Sequence, residues 1–169
     1  MRRHLLTNLM IGAALAGSAS LIAVAAPAGV AGAAPLTSSC TTLTGVTTAT
    51  ATKSTEKISG CSGTAKSLTG TSGTIAVTTN QKTKSGTAVV TWATKKTSKE
   101  TYKFTEIIGS KNNCAAKSGY TKLAKAVETG KVVAGGTATA MVGGAVTANA
   151  CAYSKSGKVY IFNQGPVKS

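Results

Sequence analysis

Aspartate is absent from this 169-residue chain, and histidine and arginine occur only within its first four residues, as His4, Arg2 and Arg3. Beyond those four residues no Ser-His-Asp or Cys-His arrangement can be assembled. A histidine or aspartate metal site and a calcium loop of the EF-hand type are excluded in the same way. The cysteines include no C-x-x-C pair, so zinc lacks a thiolate clip as well. Neither a metal nor any other cofactor is expected. Aromatic residues are scarce too, with one Trp, four Tyr and two Phe, and these must serve the core first. With arginine missing and so few rings, specific nucleic-acid recognition is not expected. Proline occurs only at 27, 35 and 166, unlike a glycosylated Thr/Pro stalk.

What does ionise is lopsided. Of nineteen basic residues two are Arg2 and Arg3, which leaves seventeen lysines against Glu56, Glu100, Glu106 and Glu128, a formal charge of +13 beyond the first segment. Two chemistries survive this inventory: a pair of glutamates acting on a glycosidic bond, or a Ser or Thr activated by a desolvated lysine. Glu100 and Glu106 fall on one face of a single strand about 20 Å apart at ~3.3 Å per residue. Paired carboxylates in glycosidases are separated by about 5 to 9.5 Å. Four solvated glutamates among lysines are therefore expected, and the protein reads as no enzyme, with an enzyme using Glu or Lys as the lesser alternative.

The first 33 residues read as a signal peptide. A basic "MRRH" precedes the apolar run "LLTNLMIGAALAGSASLIAVAA" (residues 5–26), and Ala31 and Ala33 supply the small side chains that a signal peptidase needs. Residues 34–169 then form one secreted domain. About 18 to 20 apolar residues suffice to span a bilayer, but Gly, Ala and Ser dilute this run and a cleavage site follows it. No retained transmembrane helix is expected. Arg2-Arg3 partly matches the twin-arginine export signal; no Ser precedes the pair and no basic residue lies near the cleavage site, which favours the general secretory route.

The cysteines are Cys40, Cys61, Cys114 and Cys151. Lipidation of Cys40 is disfavoured, because Thr37 occupies the position three before it, Leu36 comes one place too early, and Pro35 intervenes. An even count in an exported chain implies two disulfides, for which three connectivities exist. Cys40 with Cys61 and Cys114 with Cys151 is the expected pairing, since each closes within its own half of the chain. Closing loops of that size stabilises a fold by roughly 3 to 4 kcal/mol each in the chain-entropy picture.

Threonine recurs throughout, and its branched side chain favours strands. Strands are expected over 41–52, 73–79, 85–94, 100–108, 145–154 and 156–164, punctuated by "KSG", "TGTSG" and "GG" turns. In 100–108, Tyr102, Phe104 and Ile108 are placed on one face. "SGYTKLAKAVETGK" (118–131) is read as strand. A short helix near 119–129 is the alternative, because Tyr120, Leu123, Ala124 and Val127 also fit helical spacing and Gly130 would end it. The fold class is all-β, an antiparallel β-sandwich or small barrel of about eight strands stapled by two disulfides.

Taken together, "C…TATATKSTEKISGCSG", "GTAVVTWATKKTSKETYKF" and "VETGKVVAGGTATAMVGGAVTANAC" resemble the layout of small secreted β-rich proteins of mycobacteria and related actinobacteria. The resemblance spans nearly all of residues 34–169. It implies a secreted or cell-envelope β-domain and carries over no chemistry and no functional residues.

For function, the lysines direct attention to anionic partners such as anionic lipids or cell-wall glycans. Lys95, Lys96, Lys99 and Lys103 gather about the turn after Trp92 and form the candidate anion-binding site, with Lys82 and Lys84 in the turn before it. The alternative is a barrel-type carrier of a small hydrophobic ligand, its pocket lined by Trp92, Tyr102, Phe104, Tyr160 and Phe162. A lysine surface that only solubilises the sheet and protects its edges stands beside both readings.

Overall fold

The structure is a computed structural model that describes residues 33–169, so the segment expected to be a signal peptide (1–33) lies, but for Ala33, outside the described residues. Nine strands follow one another: β1 (Ser39–Thr47), β2 (Lys53–Ser62), β3 (Ser72–Asn80), β4 (Ser85–Trp92), β5 (Thr97–Ile107), β6 (Thr121–Val133), β7 (Ala145–Lys155), β8 (Lys158–Asn163) and β9 (Val167–Lys168). Strands β2 to β8 pair antiparallel with their sequence neighbours, β8 pairs with β1, and β1 pairs back to β2. The sheet is thus a closed barrel of eight strands, not a sandwich. Closure removes the edges that would otherwise template aggregation. The ninth strand continues the course of β8: β8 and β9 both lie between β1 and β7, and the chain breaks between them at 164–166, where Pro166 lacks an N–H for the ladder. Asn163 patches this break. Its amide accepts from the Leu43 N–H at 2.9 Å and donates to the carbonyls of Thr41 at 2.7 Å and Gly165 at 2.6 Å.

Of the segment 118–131, residues 121–131 are strand within β6, a turn at 118–119 leads into it, and the helical alternative does not form there. Helical structure among the described residues is limited to α1 (Lys66–Thr69), one α-helical turn between β2 and β3, and two single 3-10 turns at Gly109–Lys111 and Thr139–Met141. Two stretches escape the alternation reading. Strand β2 carries Ile58 and Cys61 as its apolar residues amid serine and lysine, and β9 has only two residues.

Both disulfides form as expected, Cys40–Cys61 and Cys114–Cys151. The first staples directly opposed residues of β1 and β2. Gly60, at φ 63°, turns β2 so that Cys61 points inward with Ile58 although they are three residues apart. The disulfide belongs to a tightly packed end of the barrel together with Leu43, Val90, Trp92, Val132 and Met141. Several segments plug that end. Ala65 before α1 donates to the Thr37 carbonyl, Ala138 to that of Thr97, and Leu36 to that of Ala140, while Ser38 and Ser169 exchange backbone bonds. Trp92 donates its indole N–H to the Ser98 hydroxyl at 3.1 Å, which satisfies the one polar atom of a fully buried ring.

The second disulfide lies outside the barrel. Cys151 and Tyr153 face outward from β7, Tyr160 and Phe162 face outward from β8 opposite them, and the 108–120 segment folds over all four. Tyr120 meets Tyr153, Tyr160 and Phe162 edge-on with centroids 6.2, 5.2 and 6.1 Å apart. The Tyr153 hydroxyl donates to the Ala115 carbonyl at 2.7 Å, and the Lys122 ammonium to those of Asn112 at 2.9 Å and Cys114 at 3.2 Å. This outer cluster is a second small core. It also corrects the face assigned to Ile108, which follows the end of β5 and is 65% exposed instead of lying with Tyr102 and Phe104.

Candidate functional site: a lysine wall outside, glutamates inside

Side chains alternate along a strand, and in this barrel the alternation sorts charge by sign. On β5, Lys99, Thr101 and Lys103 point out, while Ser98, Glu100, Tyr102 and Phe104 point in. Thr101 is paired with Lys131 of β6, so Lys131 is the diagonal neighbour of both Lys99 and Lys103. Diagonal neighbours stand about 7–8 Å apart, and Lys99 and Lys103 about 13 Å apart along the strand. All three are exposed, as are Lys95 and Lys96 in the turn that leads into β5. The outward positions of β4, β5 and β6 hold no carboxylate, because Glu100, Glu106 and Glu128 are all on the opposite parity.

The expected lysine site is therefore an exposed patch on one wall, and the fold adds Lys131 to it, which the sequence places 28 positions after Lys103. Strand pairing is the missing information. Lys82 and Lys84 do not join. They sit in the turn between β3 and β4, at the opposite end of β4, and Lys84 is engaged with Glu106 at 2.6 Å, the ion pair found among the described residues.

Three of the four glutamates are not solvated among lysines; they sit inside the barrel. Glu56 comes from β2, Glu100 from β5 and Glu128 from β6. Gly45 lies opposite Glu56 in β1, and a Cβ there would come within 2.7 Å of the Glu56 Cγ. Glu56 thus occupies the space that Gly45 leaves. Gly86 of β4 does the same for Tyr102, whose ring packs over it and whose hydroxyl shares a 2.8 Å hydrogen bond with Thr79. Glu100 is 6% exposed, and its Oε1 has no hydrogen-bond partner.

Loss of water dominates the electrostatics. Desolvation lifts Glu100 from an ordinary 4.5 to about 8, helped by the charge of Glu128 and opposed by a hydrogen bond from Ser98. Desolvation likewise lifts Glu128 to about 7, with Glu56 adding repulsion, and lifts Glu56 to about 7 against a hydrogen bond from Ser54. Burial pushes the Tyr102 phenol up to about 12. At neutral pH the interior thus holds carboxyl groups that are largely or partly protonated. Glu128 and Glu56 keep some accessible surface, as do Thr79 and Phe104, so these residues are not fully shut off from solvent. A surface depression of about 650 Å³ beside the β3–β4 turn is lined by Thr79 and Gly86, the two residues that hold the Tyr102 phenol.

Strand parity carries a signal for this arrangement. Glu100 has the parity of Tyr102 and Phe104, the residues expected to face inward. Glu56 has that of Ile58, and Glu128 that of Val132. Among the described residues no group of three or more His, Cys, Asp or Glu is close enough to hold a metal ion; the carboxyls are neighbours but do not converge on one point. The five aromatics expected to line a carrier pocket are divided by the wall, with Trp92, Tyr102 and Phe104 inside and Tyr160 and Phe162 in the outer cluster. They do not line one cavity. Comparison of the chain with family models, curated proteins and solved structures finds no match.

Proposed function

We propose that this is an exported, non-enzymatic barrel domain that binds anionic components of the cell envelope, anionic lipid surfaces or cell-wall glycans, through the lysine wall of β5 and β6. The observation that supports this most strongly is the segregation of charge. A surface with intermixed acids and bases presents a weak field, whereas Lys95, Lys96, Lys99, Lys103 and Lys131 face outward with no carboxylate on their wall. Each lysine near an anionic surface contributes about 1 kcal/mol. Two disulfides fit a protein that matures in an oxidising compartment.

The test is sedimentation of the protein with anionic vesicles, with zwitterionic vesicles and with isolated cell wall. Binding to an anionic target is expected at low ionic strength, falling steeply between about 50 and 200 mM salt as counterion release loses its driving force. Changing Lys95, Lys96, Lys99, Lys103 and Lys131 to Gln is expected to weaken it at least about tenfold. Changing Lys155, Lys158 and Lys168 to Gln should have little effect. Equal losses from both sets would show a diffuse field in place of a site, and no binding at low salt would leave the lysines a purely solubilising role.

A further inference from the structure

What stands between the lysines gives their wall a chemistry beyond its charge. Strand pairing sets Lys103 between Ser85 of β4 and Thr129 of β6, and sets Thr101 between Thr87 and Lys131. Thr87, Thr101 and Thr129 are exposed, so hydroxyls alternate with ammonium groups across three strands. A face that docks on lipid carries Trp, Tyr or Phe to seat in the headgroup layer. This wall has none. Trp92, Tyr102 and Phe104 turn inward, the remaining rings gather in the outer cluster over β7 and β8, and Val89, 40% exposed, is the one large apolar side chain exposed beside these lysines. A closed barrel also presents a convex wall. A flat membrane meets such a wall along a narrow strip, whereas a chain molecule can follow it.

The lysines are also spaced for a chain. Lys131 is diagonal to both Lys99 and Lys103, which places three lysines in a zigzag with steps of about 7–8 Å. Lys95 and Lys96 extend the row beyond Lys99, in the turn before β5. Lys99, Lys103 and Lys131 make no ion pair among the described residues. Ammonium groups pair with phosphate, sulfate or carboxylate as point charges, and threonine hydroxyls both donate and accept hydrogen bonds. Sugar hydroxyls do the same. We infer that the wall binds a linear anionic glycan whose acidic groups recur about every 7–8 Å, its acids on Lys99, Lys131 and Lys103 and its hydroxyls against Thr87, Thr101 and Thr129. This rests on the wall being an anion-binding surface, as proposed above, and selects glycan over lipid as its partner. Thr101 is the specificity-determining residue, because it lies midway between Lys99 and Lys103 on β5 with Thr87 on one side and Lys131 on the other.

The probe is a heparin oligosaccharide, a linear sulfated glycan, titrated calorimetrically at about 50 mM salt beside inorganic sulfate, neutral dextran and vesicles of phosphatidylglycerol and phosphatidylcholine. Amide chemical shifts locate the site. At equal anion concentration the oligosaccharide is expected to bind at least about tenfold more tightly than vesicles or free sulfate, and to shift Lys99, Thr101, Lys103, Thr129 and Lys131, while dextran does not bind. Thr101→Val keeps every charge and a strand-favouring side chain. Combined with Thr87→Val it should weaken the oligosaccharide at least about threefold and leave vesicle binding unchanged, whereas Lys131→Gln should weaken both. Vesicles or sulfate binding as tightly as the oligosaccharide, or equal loss of oligosaccharide and vesicle binding in the threonine variant, would overturn the inference and leave anion binding standing. Shifts confined to other strands, or no binding of any anionic probe, would remove the wall itself as a site.

Discussion

Glu100 and Tyr102 stand two residues apart on β5 and enter the same interior, Glu100 opposite Ala88 and Tyr102 opposite Gly86. The small partners are what make the large polar groups admissible. A Cβ at Gly86 would collide with the Tyr102 phenol and with the Thr78 carbonyl. Gly86→Ala is accordingly expected to destabilise the protein by about 1–3 kcal/mol, the usual effect of overpacking, as read from the urea midpoint. Glu100 acts differently, because its cost depends on pH. A carboxyl raised from 4.5 to about 8 in the fold contributes full stability below pH 4.5, and this is lost as pH rises through 8. Glu100→Gln removes the ionisation. Thermal melts should show the variant close to wild type near pH 4.5 and more stable by on the order of a few kcal/mol near pH 9. A variant less stable than wild type at high pH would show that Glu100 has a stabilising cationic partner.

Strand β5 shows how one element separates two environments, since its odd positions form the lysine wall and its even positions line the interior. Much of this element is legible in the sequence, because Tyr102 and Phe104 announce the inner face and Lys99 and Lys103 the outer. Other elements resist for physical reasons. Strand β2 offers little apolar alternation and is held by pairing on both sides, which no local propensity encodes. Strand β9 depends on the Asn163 amide repairing the ladder at a proline break. Lys131 joins Lys99 and Lys103 only through the β5–β6 register. The inner glutamates escape a sequence reading because carboxylates are assigned to solvent by default, although their parity matches that of Tyr102, Ile58 and Val132. The 108–120 segment, by contrast, is tied down by a crosslink. Replacing Cys114 and Cys151 together by Ser should cost roughly 3–4 kcal/mol and speed amide exchange across 108–120 while the strand amides of β2 to β5 stay protected. Uniform loss of protection would mean that the outer cluster is integral to closure of the barrel.

Closing the sheet turns strand alternation into an inside and an outside, and this chain assigns three of its four glutamates to the one and its strand lysines to the other, with Glu106 exposed and paired to Lys84. Seventeen lysines remain against four glutamates, and protonation of the inner carboxyls at neutral pH leaves the exterior more positive than the formal +13 suggests. Stability and surface charge are thereby linked. Raising the pH ionises Glu56, Glu100 and Glu128 in a poorly hydrated space, so the barrel should be most stable in mild acid and weaken through pH 7–8. Carbon-13 detection of the glutamate side-chain carboxyls across a pH titration examines the segregation of charge directly. Midpoints of about 7 for Glu56, about 8 for Glu100 and about 7 for Glu128 are expected; midpoints for all three near the ordinary glutamate value of about 4.3 would place them in water and contradict it.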